Sequence, residues 1–161
     1  MPEAFNVAGR LPRFDDAEEG RLALVAASFE RLLERPLVAA PSPERLWNAP
    51  CVIVAQGSEA DPVFFDGHQR ALEVFAMDFS RFSQLPSRDA AEPMARDERA
   101  RLLERVTRDG FIDDYSGVRI SATGQRFRIE QVVVWNLIDE CGVYDGQAAT
   151  FDPLGDALKL R

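Results

Sequence analysis

Apolar positions change their spacing at several points along the chain, and each change predicts an element. From Glu19, Leu22, Val25, Phe29 and Leu32 recur at three- and four-residue steps, which gives one stripe of a helix that Pro36 ends. In "PSPERLWNAP" (41–50), Ser42 suits the cap of a second, short helix and Pro43 its first position. "CVIVAQG" (51–57) and "PVFFDG" (62–67) are β-rich runs either side of a polar turn, and predict a hairpin. "HQRALEVFAM" (68–77) returns to helical spacing with Ala71, Leu72 and Phe75 inward. Residues 78–93 are irregular, with room for one or two helical turns. Leu102, Leu103 and Val106 then mark the buried side of a helix over 97–109, whose other side carries Asp97 with Arg101 and Glu104 with Arg108 at i,i+4. Asp109-Gly110 closes it.

Beyond Gly110 the period becomes two. "FIDDYSGVRISA" (111–122), "RFRIEQVVVWNLI" (126–138) and "VYDGQAATF" (143–151) predict an antiparallel meander with turns at Thr123-Gly124 and Glu140-Cys141-Gly142. The element order is α+β: a five-stranded antiparallel sheet with helices on one face and an N-terminal helix. Strict alternation in the middle strand puts Phe127, Ile129, Gln131, Val133, Trp135 and Leu137 on one side. Gln131 then stands as an amide within a core face, and its replacement by leucine should matter more than that of Glu130. The opposite side starts polar at Arg126, Arg128 and Glu130 and turns apolar at Val132 and Val134. Leu22, Val25, Phe29 and Leu32 are a suitable cover for it. These four with Val132 and Val134 are the expected interface, within one chain or swapped into a dimer.

Composition narrows the function. The 161 residues, 46% apolar and 29% charged, suit one folded domain, here residues 19–152 between an N-terminal arm (1–18) and a C-terminal tail (153–161). A net charge of −8 argues against a nucleic-acid partner, because such binding rests on Lys and Arg displacing counterions from phosphates. No apolar run approaches a membrane span and no secretory signal is visible. Cys51 and Cys141 are the only cysteines, which suits a reduced, cytoplasmic setting.

The order of elements, and phrases such as "FFDGHQRALEVFAM" and "DDYSGVRISATGQRFRIEQ", resemble the PAS domain. More closely, "YSGVRISATGQRF", "EQVVVW" and "GQAATF" resemble the MEKHLA domain, a PAS-like family, of the stand-alone bacterial type, over about residues 19–152. The resemblance implies a PAS-like fold, a sensory or regulatory role and a small-molecule site between the sheet and the helices. Phe64, Tyr115, Gln131 and Trp135 are the candidate ligand contacts. It assigns no catalytic residues.

The identity of a cofactor is not given by these residues. A LOV-type flavin adduct needs a thiol in the helical region, and no cysteine lies between Ala71 and Phe111. Axial-histidine haem ligation needs a histidine in "DERARLLERVTRD" (97–109), which has none. The single histidine, His68, reads as a helix-capping or hydrogen-bonding residue. A nucleophile elbow, a phosphate loop and metal-ligand spacing are all missing, and the adjacent pairs Asp113-Asp114 and Asp139-Glu140 point to opposite sides of a strand. The chain therefore reads as non-enzymatic. Two functions stay open: a ligand-binding sensor that signals through a protein partner, or a homodimerisation or interaction module with a filled core, in which Gln131 is satisfied by backbone, Tyr115 or Arg119. A cone-shaped α+β barrel remains an alternative fold.

Overall fold

The computed structural model describes residues 16–91, 93–152 and 159–160. Of the expected arm, residues 1–15 lie outside this range; Asp16 already begins α1 (Asp16–Leu33). Leu22, Val25 and Phe29 of α1 are fully buried, and Leu32 packs partly buried beside them. The helix ends before Pro36 at Glu34, whose φ of 58° is left-handed. In α2 (Pro43–Trp47), the Ser42 hydroxyl accepts from the Arg45 amide at 3.1 Å and Pro43 occupies the first turn.

Strands β1 (Val52–Gln56) and β2 (Phe64–Gly67) form the expected hairpin. Three helices follow: α3 (Gln69–Phe75), α4 (Phe79–Phe82) and, after a 3-10 turn at Ser87–Ala90, α5 (Pro93–Asp109). Gly110 ends α5 with a φ of 98° and its amide on the Val106 carbonyl. The meander is β3 (Phe111–Ile120), β4 (Arg126–Ile138) and β5 (Tyr144–Phe151). All pairings are antiparallel, in the order β2-β1-β5-β4-β3. From the expected tail, residues 153–158 and 161 lie outside the described range, while β6 (Lys159–Leu160) pairs with Arg126 and Phe127 of β4, where β5 does not reach.

The sheet has two apolar faces. On the inner face, Val52, Val54, Ile112 and Phe151 pack with Ala71 and Phe75 of α3, Phe82 of α4 and Val106 of α5. On the outer face, Ile53, Ala55, Val133, Trp135 and Leu137 pack under α1 and Leu46 of α2. A strand covered on both sides is apolar at consecutive positions rather than alternating, and Val132 through Leu137 are all buried.

The alternation expected along β4 breaks at Gln131. Tyr115 of β3 pairs with Val132, and Gly117 with Ile129, so Glu130 and Gln131 together oppose Ser116 alone. This is a β-bulge, with Gln131 taking the left-handed conformation at a φ of 52°. An extra residue moves every later side chain to the other face. Phe127 and Ile129 face inward, and beyond the bulge it is Val132 and Val134 that continue the inner face. Gln131 is exposed, as is Glu130. The placement of Gln131 in the core is thus corrected, and so are Val132 and Val134 on the outer face and Trp135 on the inner one.

The N-terminal helix covers the outer face within the same chain, against Val133, Trp135 and Leu137 instead of Val132 and Val134. The Trp135 indole donates from Nε1 to the Val25 carbonyl at 3.2 Å, and its ring meets the edge of Phe29 with centroids 4.8 Å apart. The Ser28 hydroxyl accepts from the Ile138 amide at 3.2 Å, and the Arg31 guanidinium donates to the Ile138 carbonyl at 2.9 Å. At the other end of the contact, Arg21 lies 3.7 Å over the Phe65 ring.

A non-glycine residue in the left-handed region costs about 1–2 kcal/mol, and a β-branched one is worse placed there. Gln131→Gly should therefore leave stability unchanged or raised. Gln131→Val should lower it by about 1–2 kcal/mol. Urea denaturation of the two variants checks both signs.

Candidate functional site

The polar residues of the inner face come from register. Gln56 of β1 is paired with Gln147 of β5, and Gln147 with Asn136 of β4, so three amides stand side by side on one rung of the sheet. Each is at most 6% exposed. A buried amide without partners costs about 1–3 kcal/mol, and here α5 supplies the partners. Asn136 Nδ2 donates to the Val106 carbonyl at 2.8 Å. Gln147 Nε2 lies within 3.2 Å of the Leu103 carbonyl, the Thr107 hydroxyl and Asn136 Oδ1. The Asn136 backbone amide adds a bond to the Gly110 carbonyl at 3.0 Å. The carbonyls of Leu103 and Val106 in the last two turns of α5 thus take these side-chain amides as additional donors, which fixes the end of the helix to the sheet.

Beside the row lies a cavity of about 60 Å³, bounded by β1, β3, β4, β5, α5 and the aromatic side chains of Phe64 and Phe75. That is room for several water molecules or a small organic molecule. Phe64, one of the lining residues, stacks on Phe82 at 4.4 Å between centroids. Val132, Val134 and Ile129 of β4 form part of the floor, with Val54 and Phe151. Among the sequence-predicted contacts, Phe64 and Tyr115 line this cavity. Gln131 and Trp135 do not: one is exposed at the bulge and the other is sealed under α1.

Two guanidiniums missing from the predicted set also reach the cavity. Arg119 donates to the Val118 carbonyl at 3.0 Å and to the Tyr115 hydroxyl at 3.1 Å. Gly117 makes space for that phenol, since a Cβ there would lie 2.5 Å from its oxygen. Arg99, on α5, donates from Nη2 to Gln56 Oε1 at 2.7 Å and to the Ser87 hydroxyl at 2.6 Å. Burial, followed by the field of Arg119, pushes Arg99 down to about 10, which leaves it charged at neutral pH.

Arg99, Gln56, Leu103 and Gln147 form a neck, because the same four also border an open groove between the 56–62 loop and α5. On the rim of that groove, Arg88 binds Asp61 at 2.8 Å and holds its carboxyl below the usual range. Strand β5 passes close under this loop, at Gly146. Its φ is 131°, and any Cβ there would run into the Gln56 carbonyl.

His68 stands at the N-cap of α3, as expected for a capping residue, but its side chain makes no cap bond. Its Nε2 instead lies 2.6 Å from the Asp66 carboxylate, both side chains being almost wholly buried. The contact is close but not aligned as a hydrogen bond. Cys51 packs partly buried on the outer-face side and Cys141 is exposed in the β4–β5 turn, so neither thiol reaches the cavity. Among the described residues there is no cluster of His, Cys, Asp or Glu that could hold a metal ion, and no helix long and apolar enough to cross a membrane.

A sheet of this order, with a cavity between its inner face and the helices, can be compared with known proteins. A family model described as the MEKHLA domain matches residues 20–154. The chain belongs to the MEKHLA domain family. Among solved structures, this MEKHLA domain is similar to a PAS domain from Colwellia psychrerythraea, with a TM-score of 0.59 at 11% identity, over 68% of this chain and 91% of that one. It is similar also to the light-state dimer of the fungal blue-light photoreceptor Vivid, with a TM-score of 0.59 at 11% identity, over 90% and 98% of the two chains. A PAS domain from a two-component sensor histidine kinase gives a TM-score of 0.53 at 13% identity, over 67% and 87%. These likenesses show the PAS-like fold. No curated protein matches the sequence.

In the sequence the row is marked by "VIVAQ", "VVVWN" and "YDGQ", each of which ends on an amide that register brings to the same rung. Asn136→Ala should remove the bond to Val106 and leave Gln147 short of an acceptor. The expected loss of stability is about 2 kcal/mol, with amide exchange accelerating at residues 106–110 before the rest of the sheet.

Proposed function

We propose that this MEKHLA domain is a non-catalytic sensory module that admits a small molecule to the cavity beside the amide row and signals through a protein partner. The cavity is the observation that carries the proposal: it lies between the sheet and α5, is apolar on most of its wall, and is polar at the neck that it shares with the open groove. In this reading, residues 19–152 form the sensing unit, flanked by the segments 1–18 and 153–161. Phe64 and Tyr115 serve as ligand contacts together with Gln56, Arg99, Arg119 and Gln147. The polar groups of the cavity support binding rather than catalysis. Tyr115 is engaged by Arg119, Ser87 by Arg99, and His68 with Asp66 lies outside the lining.

A second reading is a dimerisation or interaction module without a ligand. It draws on the small volume of the cavity, and on Val143 and Tyr144, which stand 56% and 38% exposed beside the β4–β5 turn. The solved Vivid structure is a dimer by its description, and a homodimer of this chain is part of this second proposal.

Native mass spectrometry of the freshly purified chain, with NMR of its valine methyls, separates the two. A sensor should retain or take up a small molecule and shift Val132 and Val134 while the mass stays that of one protomer. A ligand-free chain whose mass doubles with concentration, with those methyls unmoved by any compound, would favour the second reading.

A further inference from the structure

Granted the ligand-binding reading above, we propose that the ligand is a small organic acid, its carboxylate held at the neck by Arg99 with Arg119 behind it, and its apolar part in the cavity. The argument begins with the donors of Arg99. A guanidinium has five N–H groups, and both of its bonds leave from Nη2. Among the described residues, Nε and Nη1 of Arg99 have no acceptor, and no carboxylate is paired with it. Asp61, whose field reaches Arg99, is taken by Arg88. The protein thus holds a part-buried cation on two neutral acceptors, an amide and a hydroxyl, although its sequence has 27 acidic residues.

Arg119 sharpens the point. It faces the same cavity, its field opposes the charge on Arg99, and its two bonds are again to neutral oxygens. Two guanidiniums around one apolar enclosure favour an anion, because a carboxylate can accept paired N–H bonds from a planar fork. The position of Arg99 at the neck sets the direction, with the charged end toward the groove and the remainder inward against Val54, Ile129, Val132 and Val134. The cavity volume of about 60 Å³ limits that remainder to a short chain or a single ring.

The test titrates the full chain with benzoate and with straight-chain carboxylates from acetate to octanoate, each beside the alcohol of the same skeleton, and with inorganic phosphate. Binding is read from the valine methyls and from the melting temperature. At least one acid should bind about tenfold or more tighter than its alcohol, shift Val132 and Val134, and lose that advantage in Arg99→Met. Without ligand, Arg99→Met should melt within a few degrees of wild type, since relief of a part-buried charge is set against the donor lost to Gln56 and Ser87. Glu98→Gln, exposed on the same helix, should bind like wild type.

Acids and alcohols binding equally would overturn the anion assignment and leave the sensory reading in place. Phosphate binding in place of the acids would overturn the carboxylate. A ligand-free Arg99→Met that melts well below wild type, with acid binding retained, would make Arg99 a structural tie between Gln56 and Ser87. No response to any compound in the series, in a chain that also purifies ligand-free, would sink both the ligand class and the cavity as a binding site.

Discussion

One extra residue in β4 decides which side chains meet which layer. Without the bulge at Gln131, the strand would carry Phe127 and Ile129 into the inner core and then Val133, Trp135 and Leu137 after them. With it, the bulky indole passes to the outer face, where α1 offers the Val25 carbonyl and the edge of Phe29. The smaller Val132 and Val134 take the inner positions. An indole on the inner face at that point would occupy the space that is now the cavity. The left-handed conformation of Gln131 is thus the local cost of a sheet that is closed tightly on one face and left partly open on the other.

The second constraint is the fate of buried polar groups. Gln56, Asn136 and Gln147 form a rung across three strands, and the carbonyls of Leu103 and Val106 come down to meet it. The end of α5 is therefore located by hydrogen bonds, whereas α1 on the outer face is located mainly by apolar burial, with Ser28 and Arg31 fastening it to Ile138. Such directional contacts specify a position more sharply than packing alone does. Arg99 lies one turn back from Leu103 and two from Val106, so its guanidinium projects from a helix whose far end is already fixed.

Much of this arrangement is legible in the sequence, for reasons that differ by element. The stripe of α1, the hairpin of β1 and β2, the Ser42 cap and the Gly110 stop each follow from residues close together in the chain. The faces of β4 do not. Val132 to Leu137 are buried on both sides and so carry no alternation from which a phase could be read. The only mark of the slip is the consecutive polar pair Glu130-Gln131. Counting through that pair as if the period held placed Gln131 in the core and Trp135 in the cavity. Phe64 and Tyr115 line the cavity, although Tyr115 lies between two irregularities of the β3–β4 register. Arg99 went unseen for another reason: among the alternating charges of "RDERARLLERVTRD" it looks like part of a solvated surface. Its burial depends on Gln56 and Ser87, which lie 43 and 12 residues away.

The double coverage of β4 also has a mechanical side. A strand has no interior of its own: its two faces are alternate side chains of one hydrogen-bonded ribbon. Val132 and Val134 look into the cavity, while Val133 and Trp135, their covalent neighbours, are gripped by α1. No cushioning layer lies between the two. A displacement of the ribbon at the cavity would therefore shift the seat of the N-terminal helix directly, with no residue in between.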